Sequence, residues 1–289
     1  MKILTQPAEM QRQSGRWSCA GDSIGFVPTM GALHAGHLEL CRRARAENDR
    51  FVASVFVNPK QFGPHEDLSQ YPRPFERDCD LLREAGCDAV FAPDVTAMYS
   101  ENMKRRDKGH SCWVEVSPLD EMWEGVTRPG HIRGMATVVA KLFNITHPSR
   151  AYFGEKDFQQ LRVVELMVRD LNFDLEIVPV FTLREPDGLA MSSRNAYLAP
   201  DERAAAATLY RALQIGARLA AQGERDVAKL GQAIDAVLAT EPLLRPQYIA
   251  IVDAQTLHSL ETLDDKPARL LAAAFVGKTR LIDNIAIGV

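Results

Sequence analysis

The segment Pro28–His37, PTMGALHAGH, separates two different hydrophobic patterns. Before it, Ile24–Pro28 (IGFVP) is a short apolar run, which is typical of a buried strand. After it, Gly36–Glu47 (GHLELCRRARAE) repeats apolar residues at helical spacing with charges between them. The glycines and the proline in the segment indicate a turn. The pattern predicts a strand, a loop and a helix, and ligands bind at such a loop in open α/β sheets.

Two histidines, His34 and His37, lie in this predicted loop at the start of the helix. Because they are three residues apart, their side chains can point to the same side. A phosphate chain placed there would meet free N–H groups, the positive end of the helix dipole and two imidazole donors. In the alternative interpretation, His34 caps a turn and His37 lies on an ordinary helix face. The H-x-G-H spacing directly after a strand favours the ligand site.

The alternation of strands and helices continues along the chain. Phe51–Val57 (FVASVFV) is apolar without polar alternation, as expected of a strand covered on both faces of a parallel sheet. Arg73–Gly86 is predicted to be a helix, and Asp88–Pro93 is predicted to be the third strand. Two more strands are predicted at Arg150–Phe153 and Leu175–Thr182, with a helix between them. The sequence therefore predicts an α/β fold with a doubly wound, Rossmann-like parallel sheet.

A different pattern follows this region. A polar loop, Arg184–Asn195, precedes two predicted helices, at about Asp201–Ala221 and Asp226–Ala239, and the tail contains strand-like runs. We therefore expect two domains, a Rossmann-like domain over residues 1–182 and a smaller C-terminal α+β domain over residues 183–289.

The composition restricts the partners of the protein. The chain has 289 residues, of which 46% are hydrophobic and 25% charged, and its formal net charge is −4. It is too apolar for a disordered chain, and it has no surplus of positive charge for nucleic acid or an anionic membrane. The dense basic run Lys104–Lys108 is expected to be a solvated loop. We expect small-molecule partners, with no nucleic acid and no membrane.

The cysteines and the hydropathy of the chain bear on its location. The five cysteines form no C-x-x-C pair, which argues against a zinc or redox motif and favours reduced thiols. The N-terminus lacks the pattern of a signal peptide, and no stretch approaches the ~18 apolar residues of a membrane helix. We expect a cytoplasmic protein.

Polar residues follow two of the other predicted strands. In VNPKQF, the amides of Asn58 and Gln61 suit a small substrate with hydroxyls and a carboxylate, because each amide can donate and accept. Alternatively, this segment is only a proline-containing turn. In FGEKDFQQ, Lys156 suits a phosphate as a point charge. Alternatively, Asp157 caps the next helix and Lys156 is solvated.

The segment PTMGALHAGH resembles the HxGH signature of the nucleotidylyl-transferase and class I aminoacyl-tRNA synthetase superfamily. It is most similar to the pantothenate synthetase (pantoate–β-alanine ligase) family. The serines and Arg194 of DGLAMSSRN can wrap the β- and γ-phosphates, and this segment is similar to the KMSKS loop of the superfamily. Four segments match the family in its order: Val57–Phe62, Arg128–Gly134 (RPGHIRG), Phe153–Gln160 and Asp187–Asn195.

The resemblance implies roles for individual residues. The substrate-binding residues for pantoate and β-alanine would be Gln61, Gln160 and Asn58. The catalytic residues would be His37, His34, Lys156, Ser192, Ser193 and Arg194, with His37 as a proton donor. The ATP-binding residues would be Met30, Gly31, Ala32, Leu33, His34, Ala35, Gly36, His37, Gly154, Glu155, Lys156, Asp157, Leu183, Met191, Ser192, Ser193 and Arg194.

The resemblance also implies an activity, in which ATP activates pantoate as pantoyl adenylate and β-alanine then displaces AMP to give pantothenate. ATP would be the co-substrate with Mg²⁺, the C-terminal domain would be a lid, and the assembly would be a homodimer. The alternatives are another HxGH-type nucleotidylyl transferase, a truncated tRNA synthetase, or a non-catalytic adenine-nucleotide-binding scaffold. The short length and the lack of a basic surface disfavour the synthetase.

Several carboxylates are candidates for binding Mg²⁺ or its water shell: Asp78, Asp80, Glu66 and Asp67. Asp78 is the first to test, and a solvated helix face is the alternative for most of them. The sequence leaves the metal ligands unknown.

Overall fold

The computed structural model describes residues 1–64, 66–99 and 110–288, so the basic run Lys104–Lys108 lies outside the described residues. The strands in the described part are β1 (Lys2–Leu4), β2 (Ile24–Thr29), β3 (Arg50–Val55), β4 (Ala89–Phe91), β5 (Arg150–Gly154), β6 (Glu176–Val180), β7 (Leu244–Asp253), β8 (Ala268–Val276) and β9 (Thr279–Ile287). The α-helices there are α1 (Pro7–Cys19), α2 (Ala35–Glu47), α3 (Phe75–Glu84), α4 (Val95–Met98), α5 (Glu124–Thr127), α6 (His131–Thr146), α7 (Phe158–Asp170), α8 (Pro200–Ala221) and α9 (Val227–Leu238).

Six of these strands form a parallel sheet in the order β1-β4-β3-β2-β5-β6, counted over the residues that the structure describes. From β2 the chain builds one side of the sheet with β3 and β4, and it later builds the other side with β5 and β6. The strand order therefore reverses beside β2, and such a point is where open α/β sheets bind ligands. The predicted doubly wound parallel sheet is confirmed.

The central strands of this sheet are covered on both faces, as their apolar sequences predict. Phe26 of β2, Phe51 of β3 and Phe91 of β4 are fully buried. Each buried side chain of this size stabilises the fold by about 1.5–3 kcal/mol relative to its exposed state. Cys41 and Ala44, one helical turn apart, form the buried side of α2 in the same core. This packing fixes the start of α2 beside the carboxyl end of β2.

The C-terminal part is a small α+β structure, as expected. β7, β8 and β9 pair antiparallel in that order, and α8 and α9 pack against them. Leu213, Ile234 and Leu270 are fully buried in the shared core. The sequence pattern did not predict β9 because Asp283 and Asn284 interrupt its apolar residues. Both are buried, and both accept charged hydrogen bonds from arginine side chains.

The chain divides into two compact units. The N-terminal unit consists of Met1–Glu155 and Gln159–Val180, and the C-terminal unit consists of Lys156–Phe158 and Phe181–Val289. The short segment Lys156–Phe158 therefore belongs to the C-terminal unit although N-terminal residues flank it on both sides. None of the described helices is long and apolar enough to cross a membrane.

Candidate active site

The HxGH turn, Met30–His37, connects β2 to α2. His34 is the N-cap of α2, and its Nδ1 accepts a hydrogen bond from the N–H of Gly36 at 3.1 Å. The N–H of His34 donates to Nδ1 of His37 at 3.4 Å, and the two ring centroids are 4.0 Å apart. A backbone N–H can only donate, so Nδ1 accepts in both rings and the hydrogen of each neutral ring is on Nε2. Two imidazole Nε2 donors therefore lie at the start of α2.

The backbone of the HxGH turn is held by polar side chains. Gly31 and Ala32 have φ angles of 83° and 52°, in the left-handed region that is unfavourable for alanine. The N–H groups of Ala32 and Leu33 each donate to one carboxylate oxygen of Asp78, both at 2.8 Å. The N–H of Gly31 donates to Oγ1 of Thr29 at 3.0 Å. The turn is thus tied both to the end of β2 and to the first turn of α3.

Asn58 and Gln61 follow β3 and form a buried amide pair. Nδ2 of Asn58 donates to Oε1 of Gln61 and to the carbonyl of Gly134, both at 3.1 Å. Oδ1 of Asn58 accepts from the hydroxyl of Tyr99 at 2.8 Å. Nε2 of Gln61 lies 3.2 Å from Sδ of Met30, and a thioether is only a weak acceptor. Asn58 therefore holds Gln61 in place, and Gln61 presents an N–H₂ donor beside the HxGH turn.

The RPGHIRG segment, for which the residues alone suggested no role, supports this amide pair. Arg128 donates to both carboxylate oxygens of Glu66 at 2.9 and 2.7 Å and to Nε2 of His131 at 2.9 Å. Because a guanidinium can only donate, Nδ1–H of His131 donates to the carbonyl of Gln61 at 2.9 Å. Burial lowers the pKa of His131 to about 4, and the charge of Arg128 contributes to this lowering. His131 is therefore a neutral donor near pH 7.

The other predicted site residues of the N-terminal unit follow β5. Gly154 ends β5, Glu155 begins a short 3-10 turn, and Gln160 lies in the first turn of α7. All three are half-buried. Because β3, β2 and β5 are adjacent and parallel, their carboxyl ends bring Gln61, the HxGH turn and Gln160 to one edge of the sheet.

Lys156 and Asp157 belong to the C-terminal unit. Nζ of Lys156 lies 3.6 Å from Oδ1 of Asp157, which is an ion pair between neighbours in sequence. The carbonyl of Lys156 accepts from Nδ2 of Asn284 at 2.8 Å, and Oδ1 of Asn284 accepts from Nε of Arg269 at 2.7 Å. Strands β8 and β9 therefore fix the backbone of the predicted phosphate-binding lysine.

The remaining predicted residues form the SSR loop, Met191–Asn195, together with Leu183. The N–H of Met191 donates to the carbonyl of Leu183 at 3.0 Å. Ser192 is the N-cap of a 3-10 turn, and its Oγ accepts from the N–H of Arg194 at 3.3 Å. All five residues of the loop are half-buried. The structure thus brings Leu183, the two serines and Arg194 into one segment of the C-terminal unit.

The described residues do not form a preformed metal-binding site. Among them, no group of three or more His, Cys, Asp or Glu side chains could hold a metal ion. Asp78 is 1% exposed, and both of its carboxylate oxygens accept backbone N–H groups. Asp80 pairs with Arg83, and Glu66 pairs with Arg128. The structure therefore does not support Asp78 as a magnesium ligand, because its carboxylate is occupied in holding the HxGH turn.

Comparison with known proteins identifies the family of the chain. The family model described as pantoate-beta-alanine ligase matches residues 2–286. The chain belongs to the pantoate–β-alanine ligase family. A relative from Rubrobacter xylanophilus, named pantothenate synthetase, is 56% identical over 285 residues, covering 99% of this chain and 98% of that protein. A relative of the same name from Moorella thermoacetica is 51% identical over 289 residues, covering 100% of this chain and 99% of that protein.

Solved structures of this ligase family share the fold over the whole chain. Pantothenate synthetase from Thermus thermophilus matches with a TM-score of 0.92 at 49% identity, covering 100% of both chains. Pantoate-beta-alanine ligase from Francisella tularensis, complexed with beta-gamma ATP and beta-alanine, matches with a TM-score of 0.80 at 32% identity. That match covers 99% of this chain and 97% of the Francisella chain. The ligase fold therefore includes both units.

Proposed function

We propose that the protein condenses pantoate with β-alanine at the expense of ATP, which yields pantothenate, AMP and pyrophosphate. The observation that carries the proposal is the HxGH turn, where His34 and His37 offer Nε2 donors at the start of α2. This arrangement suits a phosphate chain, because the first N–H groups of a helix and its dipole attract an anion. The family model matches this turn and the chain on both sides of it.

ATP is proposed to bind with its phosphates at the start of α2 and its α-phosphorus near His37. The N–H groups of Ala32 and Leu33 already bond Asp78. Nucleotide contacts from these two residues would therefore involve other atoms. Mg²⁺ enters this proposal as part of the substrate MgATP, since magnesium in such sites is bound largely by substrate phosphates and water.

Pantoate is proposed to bind beside Gln61, Met30 and Gln160. Among the described contacts, the N–H₂ group of Gln61 donates to Sδ of Met30, which is a weak acceptor. A substrate oxygen would therefore be a better hydrogen-bond partner for this group. The methyl groups of pantoate suit the thioether, and its hydroxyls suit the amides. Asn58 acts in this proposal through Gln61, and a direct contact of Asn58 with substrate stays a prediction.

The proposed reaction has two steps. A carboxylate oxygen of pantoate attacks the α-phosphorus, the bond from that phosphorus to the bridging oxygen breaks, and pyrophosphate leaves. The amine of β-alanine then attacks the acyl carbon, AMP leaves with the oxygen of the broken C–O bond, and the amine proton passes to solvent. In the first step, the Nε2 donors of His34 and His37 would stabilise the charge that develops on the phosphate oxygens.

The C-terminal unit is proposed to supply the remaining positive charge and to act as a lid. Lys156 and Arg194 are its proposed phosphate-binding cations, and Ser192 and Ser193 are proposed hydroxyl donors. A lid of this kind would protect the acyl adenylate from water while it waits for the amine. All five cysteines are free thiols, which suits the cytoplasm, and the family resemblance suggests a homodimer.

Product analysis tests this proposal. With MgATP, pantoate and β-alanine, we expect pantothenate and AMP in equal amounts, and no AMP when either organic substrate is omitted from multiple-turnover assays. A plain nucleotidylyl transferase would instead accumulate an adenylylated product that β-alanine does not consume. A non-catalytic scaffold would bind ATP without turnover. Either result would contradict the proposal.

A further inference from the structure

The HxGH turn contains an anion-binding feature that is already filled by the protein. The consecutive N–H groups of Ala32 and Leu33 converge on the carboxylate of Asp78, one to each oxygen. Successive backbone N–H groups arranged in this way typically bind an anion. Asp78 is 1% exposed and lies in the first turn of α3, where the helix dipole favours a carboxylate. The carboxylate of Asp78 therefore already occupies the anion-binding position formed by these two N–H groups.

This contact holds the turn in a conformation that its sequence does not favour. Ala32 has a φ of 52°, which brings its Cβ close to its own backbone. A Cβ added to Gly31 would lie 2.9 Å from Oδ2 of Asp78, so the carboxylate packs tightly under the turn. Without the two charge-assisted hydrogen bonds, the left-handed conformation of Ala32 would be less stable. The position of the imidazoles that follow depends on this conformation.

We propose that Asp78 is a positioning residue for the adenylation step, and this inference rests on the proposed function. Its carboxylate holds Ala32 and Leu33 so that His34 begins α2 and the Nε2 groups of both histidines face the reacting phosphate. Asp78 touches neither substrate nor metal in this role. It acts on the turnover of bound substrates, and not on their affinity.

The test uses Asp78→Asn in the full-length protein, with pantoate-dependent ATP–pyrophosphate exchange as the assay. Asparagine keeps one acceptor oxygen and places an N–H₂ group against the second backbone N–H. We expect kcat to fall about tenfold, which corresponds to about 1.4 kcal/mol, and the KM values for ATP and pantoate to change less than about threefold. Glu76→Gln is the matched control, because Glu76 is exposed in the first turn of the same helix and has no proposed role in the site.

A second substitution separates positioning from general stability. Ala32→Gly removes the Cβ that makes the left-handed conformation costly, so Asp78→Asn should lower kcat less than about threefold in the Ala32→Gly background. If Asp78→Asn alone does not fold, Asp78→Glu is compared in the same two backgrounds with the same expectation.

Two outcomes would overturn the inference while leaving the proposed function intact. One is a wild-type kcat in the Asp78 variant, and the other is an equal loss of kcat in both Ala32 backgrounds. Wild-type protein that shows no pantoate-dependent exchange would instead contradict the proposed function itself.

Discussion

The HxGH turn and the SSR loop are both proposed to contact the phosphates of ATP, but the protein holds them differently. The HxGH turn is bonded to a buried carboxylate 46 and 45 positions along the chain from its two donors. Two bonds of the SSR loop are short-range: Oγ of Ser192 accepts from the N–H of Arg194, and the amide of Asn195 donates to the carbonyl of Ala190. No residue of the described turn Ser193–Tyr197 is buried.

This difference indicates two kinds of contribution to one reaction. Donors on a turn that is fixed by buried, long-range bonds are in place before the substrate arrives, which is the condition for electrostatic stabilisation of a transition state. A half-buried loop can adjust when the nucleotide binds. Substitutions in the SSR loop should therefore change reaction rates without changing the free energy of unfolding. Substitutions of the buried residues that hold the HxGH turn and Gln61, which are Asp78 and His131, should also change the free energy of unfolding.

The largest effect is expected for His37→Ala. Loss of one preorganised donor to the developing charge should lower kcat for adenylation about 10²–10³-fold. The melting temperature should change little, because His37 is half-buried on the first turn of α2. Exchange kinetics and thermal unfolding measure the two quantities, and His258→Ala, an exposed histidine of the C-terminal unit, is the control. An unaltered kcat would remove His37 from the mechanism.

A smaller effect is expected for Arg194→Ala in the SSR loop. A hydrogen bond to a charged group contributes about 1.5–3 kcal/mol, so kcat/KM for ATP should fall about 10–100-fold. Arg194→Lys should recover part of this loss, and Arg218→Ala, an exposed arginine of α8, should behave as wild type. The melting temperature should be unchanged in all three variants. A clear drop in melting temperature for Arg194→Ala would contradict the contrast between the two loops.

The smallest effect concerns the pH dependence of protein stability that arises from His131, whose ring donates to the carbonyl of Gln61. Burial lowers the pKa of His131 from its ordinary value of 6.5 to about 4, so below pH 6.5 the unfolded chain binds a proton that the folded chain excludes. Stability is therefore lost as the pH falls from 6.5 toward 4, by about 2 kcal/mol between pH 7 and pH 5 for this group.

Replacement of the imidazole isolates this contribution. His131→Asn removes the titrating ring but keeps an N–H donor toward the carbonyl of Gln61, so its stability should fall about 2 kcal/mol less between pH 7 and pH 5 than that of wild type. Urea unfolding followed by tryptophan fluorescence measures this difference, because Trp17, Trp113 and Trp123 all lie in the N-terminal unit. Parallel pH profiles for the two proteins would show that His131 does not titrate as described.

The sequence predicted most of the fold because the central strands of the parallel sheet are largely apolar runs. It did not predict β1, which has three residues that are largely exposed, or α1, whose polar sequence lacks a side-chain cap. It also did not predict β9, where Asp283 and Asn284 are buried only because arginine side chains elsewhere in the chain satisfy them.

The candidate site was predictable where function depends on a local pattern. The spacing of His34 and His37 predicted the HxGH turn at the carboxyl end of β2. The roles of Asp78 and His131 depend on partners 45 to 70 positions away, which no local pattern shows. One signal was available for Asp78: it lies four residues before Leu82, and both residues are on the buried side of α3.

The most direct test of adenylation at the HxGH turn is pantoate-dependent exchange of pyrophosphate into ATP, measured with pure wild-type protein and Mg²⁺ in the absence of β-alanine. We expect exchange that requires pantoate and continues without the amine, because adenylation at the HxGH turn would be a complete and reversible half-reaction. Exchange without pantoate would contradict this expectation, and so would the absence of exchange when ATP, pantoate and pyrophosphate are all present.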